Sequence, residues 1–280
     1  MKAHKSKQKS PIFLIISLIA VGVVFLSNQF TSSKSEKNAI VTTHTTETDS
    51  QIPISGVEIP AQIPNRSEIC LTHTGYTVSY NPDWKIPNWV AYELTSAEVG
   101  GDISRSNHFV PDPLLASEHT ATDADYKKSG FDRGHMAPAA DMKWSKQAMD
   151  ESFYFSNICP QNHNLNAGVW ENLEKQVRAL AAQNGSIFVV CGPLVNENYE
   201  TIGAHNVAVP QGFFKALLRK SDAEWHSIAF VFDNVSGKRP LSTYAISVRE
   251  LEEKTGITFF PTLPKHVKSQ VDFSVWTVSR

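Results

Sequence analysis

The amino-acid sequence predicts an α+β protein. Three observations carry this. Strand-like apolar runs outnumber helical stripes. The two kinds do not alternate regularly, as a doubly wound parallel sheet would require. With 41% hydrophobic and 19% charged residues over 280 positions, the chain suits one large globular domain or two small ones.

The chain opens with a basic stretch, Met1 to Ser10, followed by the nearly unbroken apolar run Pro11 to Leu26. A basic flank before such a run reads as an export signal or a membrane anchor, here a hydrophobic helix within residues 1–30. The run is borderline in length for a full span. Ser27 to Thr31 lacks a small-residue cleavage site, which favours an uncleaved signal-anchor over a cleaved signal. The positive-inside rule keeps the Lys-rich start in the cytoplasm. The expected location is therefore extracytoplasmic, anchored in the membrane through residues 11–26, or secreted or periplasmic if the segment is cleaved. Residues 31–66 are rich in Ser, Thr, Asn, Gln and spaced prolines and read as a flexible polar linker. The body is expected over 67–280.

Within the body, Tyr76 to Tyr80 alternates as a strand, Asn81-Pro82 marks a turn, and Trp89 to Leu94 reads as the second strand of a hairpin. Leu165 to Gln183 carries Trp170, Leu173, Val177 and Leu180 at helical spacing, and Asn184-Gly185 terminates it. Ser186 to Cys191, Phe213 to Leu218 and Trp225 to Phe232 are further strands, and Val248 to Thr255 is a short Glu-rich helix.

The net charge of −2 conceals an asymmetry: residues 1–38 hold six Lys/Arg and one acid, so the remainder carries 20 basic and 27 acidic side chains, a net of −7. A protein that holds nucleic acid stoichiometrically carries a basic surface. This body can act on nucleic acid only through a local cationic cleft. Three cysteines, Cys70, Cys159 and Cys191, are too few for a disulfide scaffold, and no C-x-x-C spacing suggests structural zinc. Cys191 ends an apolar run and reads as a small core residue.

The chemistry concentrates in three stretches. Ser129 to Pro138 contains Asp132-Arg133-Gly134-His135; Ser156 to Gln161 contains Asn157; Leu165 to Glu174 contains Asn166. His135 is the candidate general base, since a neutral imidazole accepts a proton near neutral pH. Gly134 permits close backbone approach or a positive φ, Arg133 offers a planar fork to phosphate, and Asp132 either orients the imidazole or pairs with an arginine. Asn166 is a neutral oxygen ligand of the kind Mg²⁺ accepts, although an Asn at a helix start is also an N-cap. Glu174 lies eight residues further on, about 80° around a helix, so both can face one cleft. It can equally pair with Arg178 at i+4. Arg105, in an irregular loop, is a surface residue by default, and His163 is a weaker metal or base candidate. A base, a phosphate partner and hard oxygen ligands are the parts of metal-assisted phosphodiester hydrolysis.

These motifs, in this order, resemble the DNA/RNA non-specific endonuclease family, that of the Serratia-type nuclease and endonuclease G, with its ββα-metal fold. The likeness extends over roughly residues 70–265, taking in Val209 to Lys215 and Thr255 to Pro261. It implies a mixed or antiparallel sheet with flanking helices. It also implies cleavage of single- and double-stranded DNA and RNA to 5′-phosphate products. His135 would be the general base and Asn166 the ligand of one Mg²⁺, for which Mn²⁺ substitutes. Glu174 would act through metal-bound water, Arg133 and Asn157 would support the site, and Arg105 would contact phosphate. Cys159 departs from the family, which often has a hydroxyl residue there. Three rivals stand beside this reading: a degenerate nuclease that only binds nucleic acid outside the cytoplasm; a metal-dependent phosphodiesterase or phosphatase acting on small molecules, which would need more acidic or His ligands; and a membrane-tethered structural protein with a chance motif, against which three ordered motifs speak.

Overall fold

The computed structural model describes residues 55–221 and 223–277. Strands in chain order are β1 (Ile69–Thr72), β2 (Thr77–Asn81), β3 (Ile86–Thr95), β4 (Asp132–His135), β5 (Ile158–Gln161), β6 (Ser186–Leu194), β7 (Glu200–Ile202), β8 (Val207–Val209), β9 (Gly212–Ser221), β10 (Glu224–Asp233) and β11 (Ala245–Ile246). Helices are α1 (Ser96–Val99), α2 (Asp123–Tyr126), α3 (Lys146–Glu151), α4 (Glu171–Asn184), α5 (Val248–Thr255) and α6 (Lys265–Lys268).

Seven strands form the central sheet in the order β1-β2-β3-β6-β9-β10-β11, and every pairing in it is antiparallel. The α+β expectation therefore holds, with an antiparallel rather than a mixed sheet. Two short ribbons, β4-β5 and β7-β8, stand apart from it.

Both faces of the sheet are covered, which explains strands that read as continuous apolar runs. Successive side chains point to opposite faces. On β9, Phe213 and Leu217 join the core that contains Leu173, Val177 and Leu180 of α4, together with Met136, Ile158 and Cys159 near the β4-β5 ribbon. Phe214, Ala216 and Leu218 join the opposite core, under Val248 and Leu251 of α5 and Val267 of α6. Ser247 starts α5 with a capping box: its hydroxyl accepts from the Glu250 amide at 3.1 Å, and the Glu250 carboxylate accepts from the Ser247 amide at 2.8 Å.

Two expectations need correction. The helix expected from Leu165 to Gln183 is not continuous. A wide π-type turn, Leu165–Trp170, precedes α4, and Gly168 within it leaves helical geometry, with φ −116° and ψ −115°. Gly185 closes α4 with φ +92°, a conformation that favours glycine. The linker expected over 31–66 also ends too late. Val57 and Ile63 are buried in the α5 face of the core, the Ala61 amide donates to the Thr258 carbonyl at 3.0 Å, and the Arg66 guanidinium donates to the Thr255 carbonyl at 3.1 Å. Apolar residues among prolines here form a strap docked on the core, not a tether. The hydrophobic helix, the 1–30 segment and the first part of the linker lie outside the described residues. Among the described residues, no helix is long and apolar enough to cross a membrane.

Candidate active site

A ββα unit builds the site. Strand β4 carries Asp132 to His135, β5 pairs with it antiparallel, and the turn into α4 carries Asn166 and then Glu174. Gly134 lies opposite Cys159, and a Cβ there would sit 2.6 Å from the Gln161 Cβ. The glycine thus serves close strand approach; its φ is not positive.

His135 is nearly buried, at 9% exposure. Its ring meets Phe153 edge-on at 4.8 Å and Phe109 at 5.4 Å. Nε2 makes no hydrogen bond. Burial, reinforced by the Arg105 and Arg133 charges, pulls the imidazole down to a pKa of about 3. It is a neutral acceptor throughout the physiological range. Asp132 does not orient this ring, as one expectation had it. Asp132 Oδ2 instead accepts from the Asn166 side-chain amide at 2.9 Å and lies 2.9 Å from His163 Nδ1.

That contact decides how Asn166 is presented. The carboxylate can only accept, so the Asn166 NH₂ turns toward it and the Oδ1 is left for another partner. A hard oxygen donor held this way, in one cavity with the Glu174 carboxylate, fits a divalent cation that keeps most of its waters. Among the described residues there is no group of three or more His, Cys, Asp or Glu able to hold a metal, so a dedicated protein cage is absent there. Exposed His163 stays on the outer side of Asp132.

The cavity, of about 260 Å³, is lined by Arg105, Arg133, His135, Asn166, Glu174 and Arg178 among others. The structure therefore brings together five of the six residues singled out from sequence and adds Arg178. The Arg105 guanidinium packs over the Phe153 ring at 4.9 Å. Arg133 stacks on Phe109 at 4.3 Å and ion-pairs with Asp123. A wider cleft of about 520 Å³ continues from the shared Arg105, Arg133 and Asn166 toward Lys127 and Phe131.

Asn157 is the exception. It is entirely buried and fully used: its Oδ1 accepts from the Ala137 amide at 2.8 Å, and its Nδ2 donates to the Ala137 and Ser152 carbonyls at 2.9 and 2.8 Å. It cannot touch a substrate. Its part is to hold the chain just after His135, so it is a positioning residue, not a catalytic one.

Sequence reasoning missed two cations. Arg178, read as an i+4 partner of Glu174, donates instead to Asp141 Oδ1 at 2.7 Å, while Tyr92 donates to Asp141 Oδ2 at 2.9 Å. Lys215 is 1% exposed, with its Nζ 4.4 Å from the Trp170 ring centroid. Glu174 feels this surrounding: burial pushes its carboxyl up to a pKa of about 7, with Lys215 the strongest opposing influence. The signal for Lys215 was a lysine at an inward position of the apolar run Phe213 to Leu218.

The sequence profile of the DNA/RNA non-specific endonuclease family matches residues 57–266. The chain is 39% identical over 215 residues to the mitochondrial nuclease EXOG of Danio rerio, covering 71% of this chain and 63% of that protein. It is 36% identical over 202 residues to the mitochondrial endonuclease G of Homo sapiens, covering 67% and 68%. A crystal structure of EndoG in complex with EndoGI superposes with a TM-score of 0.67 at 31% identity, covering 71% of this chain and 88% of that one. The first nucleases matched are longer: the chain spans 63%, 57% and 58% of their lengths. Their mitochondrial names overturn the expected extracytoplasmic, membrane-anchored location, and nothing in these matches supports a membrane partner. Profile, relatives and fold agree that the chain belongs to the DNA/RNA non-specific endonuclease family.

Proposed function

We propose that residues from about 57 onward form a metal-dependent endonuclease that hydrolyses DNA and RNA without sequence preference and leaves 5′-phosphate products. One observation carries the reading. A buried, neutral imidazole with an unpartnered Nε2 opens on the same cavity as the Asn166 amide, whose oxygen Asp132 leaves free.

Asn166 would hold one Mg²⁺ or Mn²⁺, with Glu174 reaching it through water. When bound, that ion supplies charge stabilisation to the phosphorane and to the leaving 3′ oxygen. His135, which lines the cavity and stays neutral there, takes a proton from the attacking water on a ring nitrogen. Arg105 and Arg133, both braced on aromatic rings, and Arg178, braced on Asp141, offset negative charge on the non-bridging oxygens. Contacts of this kind address the phosphodiester backbone rather than base edges, which accounts for low sequence preference. The mitochondrial names of the relatives support that compartment as the place of action.

The test is plasmid nicking and RNA degradation with Mg²⁺, with Mn²⁺ and with EDTA. Cleavage of both polymers that EDTA abolishes is the expected result. Binding without cleavage would favour the degenerate binding module instead.

A further inference from the structure

Glu174 and Arg178, which line the cavity, form a charge cluster with the buried Asp141 and Lys215. One pairing is explicit: Arg178 donates to Asp141 at 2.7 Å, and Tyr92 fills the other Asp141 oxygen. That leaves Glu174 and Lys215. Lys215 sits on β9 between Phe213 and Leu217, on the α4 face of the sheet. Its ammonium is 99% shielded, and Nζ has no hydrogen-bonded oxygen or nitrogen. A buried ammonium with no oxygen or nitrogen partner is costly unless its field is used. Its field reaches Asp141 and the Cys191 thiol, and two further groups belong to the start of α4. One is the Trp170 ring, last residue of the wide turn that carries Asn166. The other is Glu174, one turn into α4 from Trp170.

We propose that Lys215 is a positioning residue of the site, pinning the start of α4 through Trp170 and holding the Glu174 carboxylate toward the cavity. The proposal rests on the nuclease reading for its effect on rate, but not for its effect on the fold. The physical reason is competition. Glu174 and Arg178 are i,i+4 neighbours on α4, a spacing that favours their pairing. Arg178 is instead committed to Asp141. With Lys215 present, Glu174 has its own cation below it and stays where it lines the cavity. Without Lys215, Glu174 swings to Arg178, draws that guanidinium off Asp141 and takes both groups out of place.

The test is a double-mutant cycle with Lys215→Met, Glu174→Gln and the pair, read in both kcat and thermal unfolding, with Lys215→Arg as the charge-keeping control. Lys215→Met is expected to lower kcat about 10–10²-fold, as small misplacements of site groups do, while KM for polynucleotide moves less than about threefold. In the Glu174→Gln background the same change should cost less than about threefold, because its target is already gone. The double variant should unfold about 2–4 °C above the additive expectation. Lys215→Arg should recover most of the rate. Additive losses in both readouts would overturn the proposal and reduce Lys215 to a space-filler. If Lys215→Met does not fold, the double variant decides. Its folding supports the pairing, and its failure overturns it. If the wild-type protein cuts neither polymer, the nuclease reading fails, while the unfolding cycle still judges the coupling.

Discussion

His135 lines the cavity at a place where burial lowers its proton affinity, and this has two measurable results. Replacing it with Ala should lower kcat by at least about 10²-fold, since a general base commonly supplies that much. Polynucleotide binding, measured by filter retention, should change far less. The second result concerns stability. In the folded protein the imidazole protonates only near pH 3, against an ordinary value of 6.5. Between those values the unfolded chain holds one more proton, so folding weakens as pH falls. Relative to His135→Asn, the metal-free wild type should lose about 1.4 kcal/mol per pH unit from 6.5 downward. Glu174 acts in the opposite sense: its folded carboxyl keeps its proton up to about pH 7 against an ordinary 4.5, so its stabilising contribution is lost as pH rises across that window. Chemical denaturation of both proteins at several pH values checks the difference.

Asn166 and Asp132 can be separated by metal titration. Asn166→Ala should raise the Mg²⁺ concentration for half-maximal cleavage at least about tenfold, and Asp132→Asn, which lets the amide turn, should move it about tenfold. Glu174→Ala should be milder, because its contact runs through water. An unchanged Mg²⁺ dependence in Asn166→Ala would move the ligand elsewhere. These residues were legible because acid, Arg, Gly and His stand in consecutive positions. Arg178 and Lys215 were not. A helical Arg four residues after a Glu reads as its partner, and only the fold reveals that Asp141, 37 residues away in sequence, takes it.

At the scale of elements, the hairpin, the long strands and α5 followed from alternation and spacing. β2 and β3 span 77–81 and 86–95, and α5 begins and ends where the sequence placed it. The β4-β5 ribbon did not follow from pattern, because four-residue strands with polar members have no periodicity to read. Nor did the break at Gly168, since a π-type turn preserves apolar residues at near-helical spacing. The ribbon supplies a sharp prediction. Gly134→Ala would drive a methyl into the Gln161 side chain, costing about 1–3 kcal/mol as overpacking does. It should also displace His135. Gln161→Ala in the same chain should recover part of the loss, read as the urea midpoint.

For the molecule as a whole, the cationic residues at the site are few and braced individually, within residues 39–280 of net charge −7, which is the arrangement the composition led one to expect of a local cleft. What composition hid was the strap. Relative to a chain that begins at residue 55, a chain that begins at residue 67 loses Val57 and Ile63 from the core. At about 1.5–3 kcal/mol per buried side chain, the longer deletion should lower stability by roughly 3–6 kcal/mol. Thermal unfolding of the two truncations against each other checks this.

The connection between β3 and β6 has a further bearing on when the site is assembled. These neighbouring strands pair Val90 with Cys191, and the whole ββα unit lies in the stretch between them. Lys215 and the strand that carries it come later still. On the ribosome, His135, Asn166 and Glu174 all emerge when the central sheet has only β1, β2 and β3, before its fourth strand, β6, is available to pair. Joining strands about a hundred residues apart is slow compared with local hairpin closure. The growing chain therefore lacks an assembled site until synthesis is well past β6 and β9, and under the proposed function it cuts no polynucleotide before then. Activity in a refolding time course should appear only with the slow phase that protects the amides of β3 and β6 from exchange.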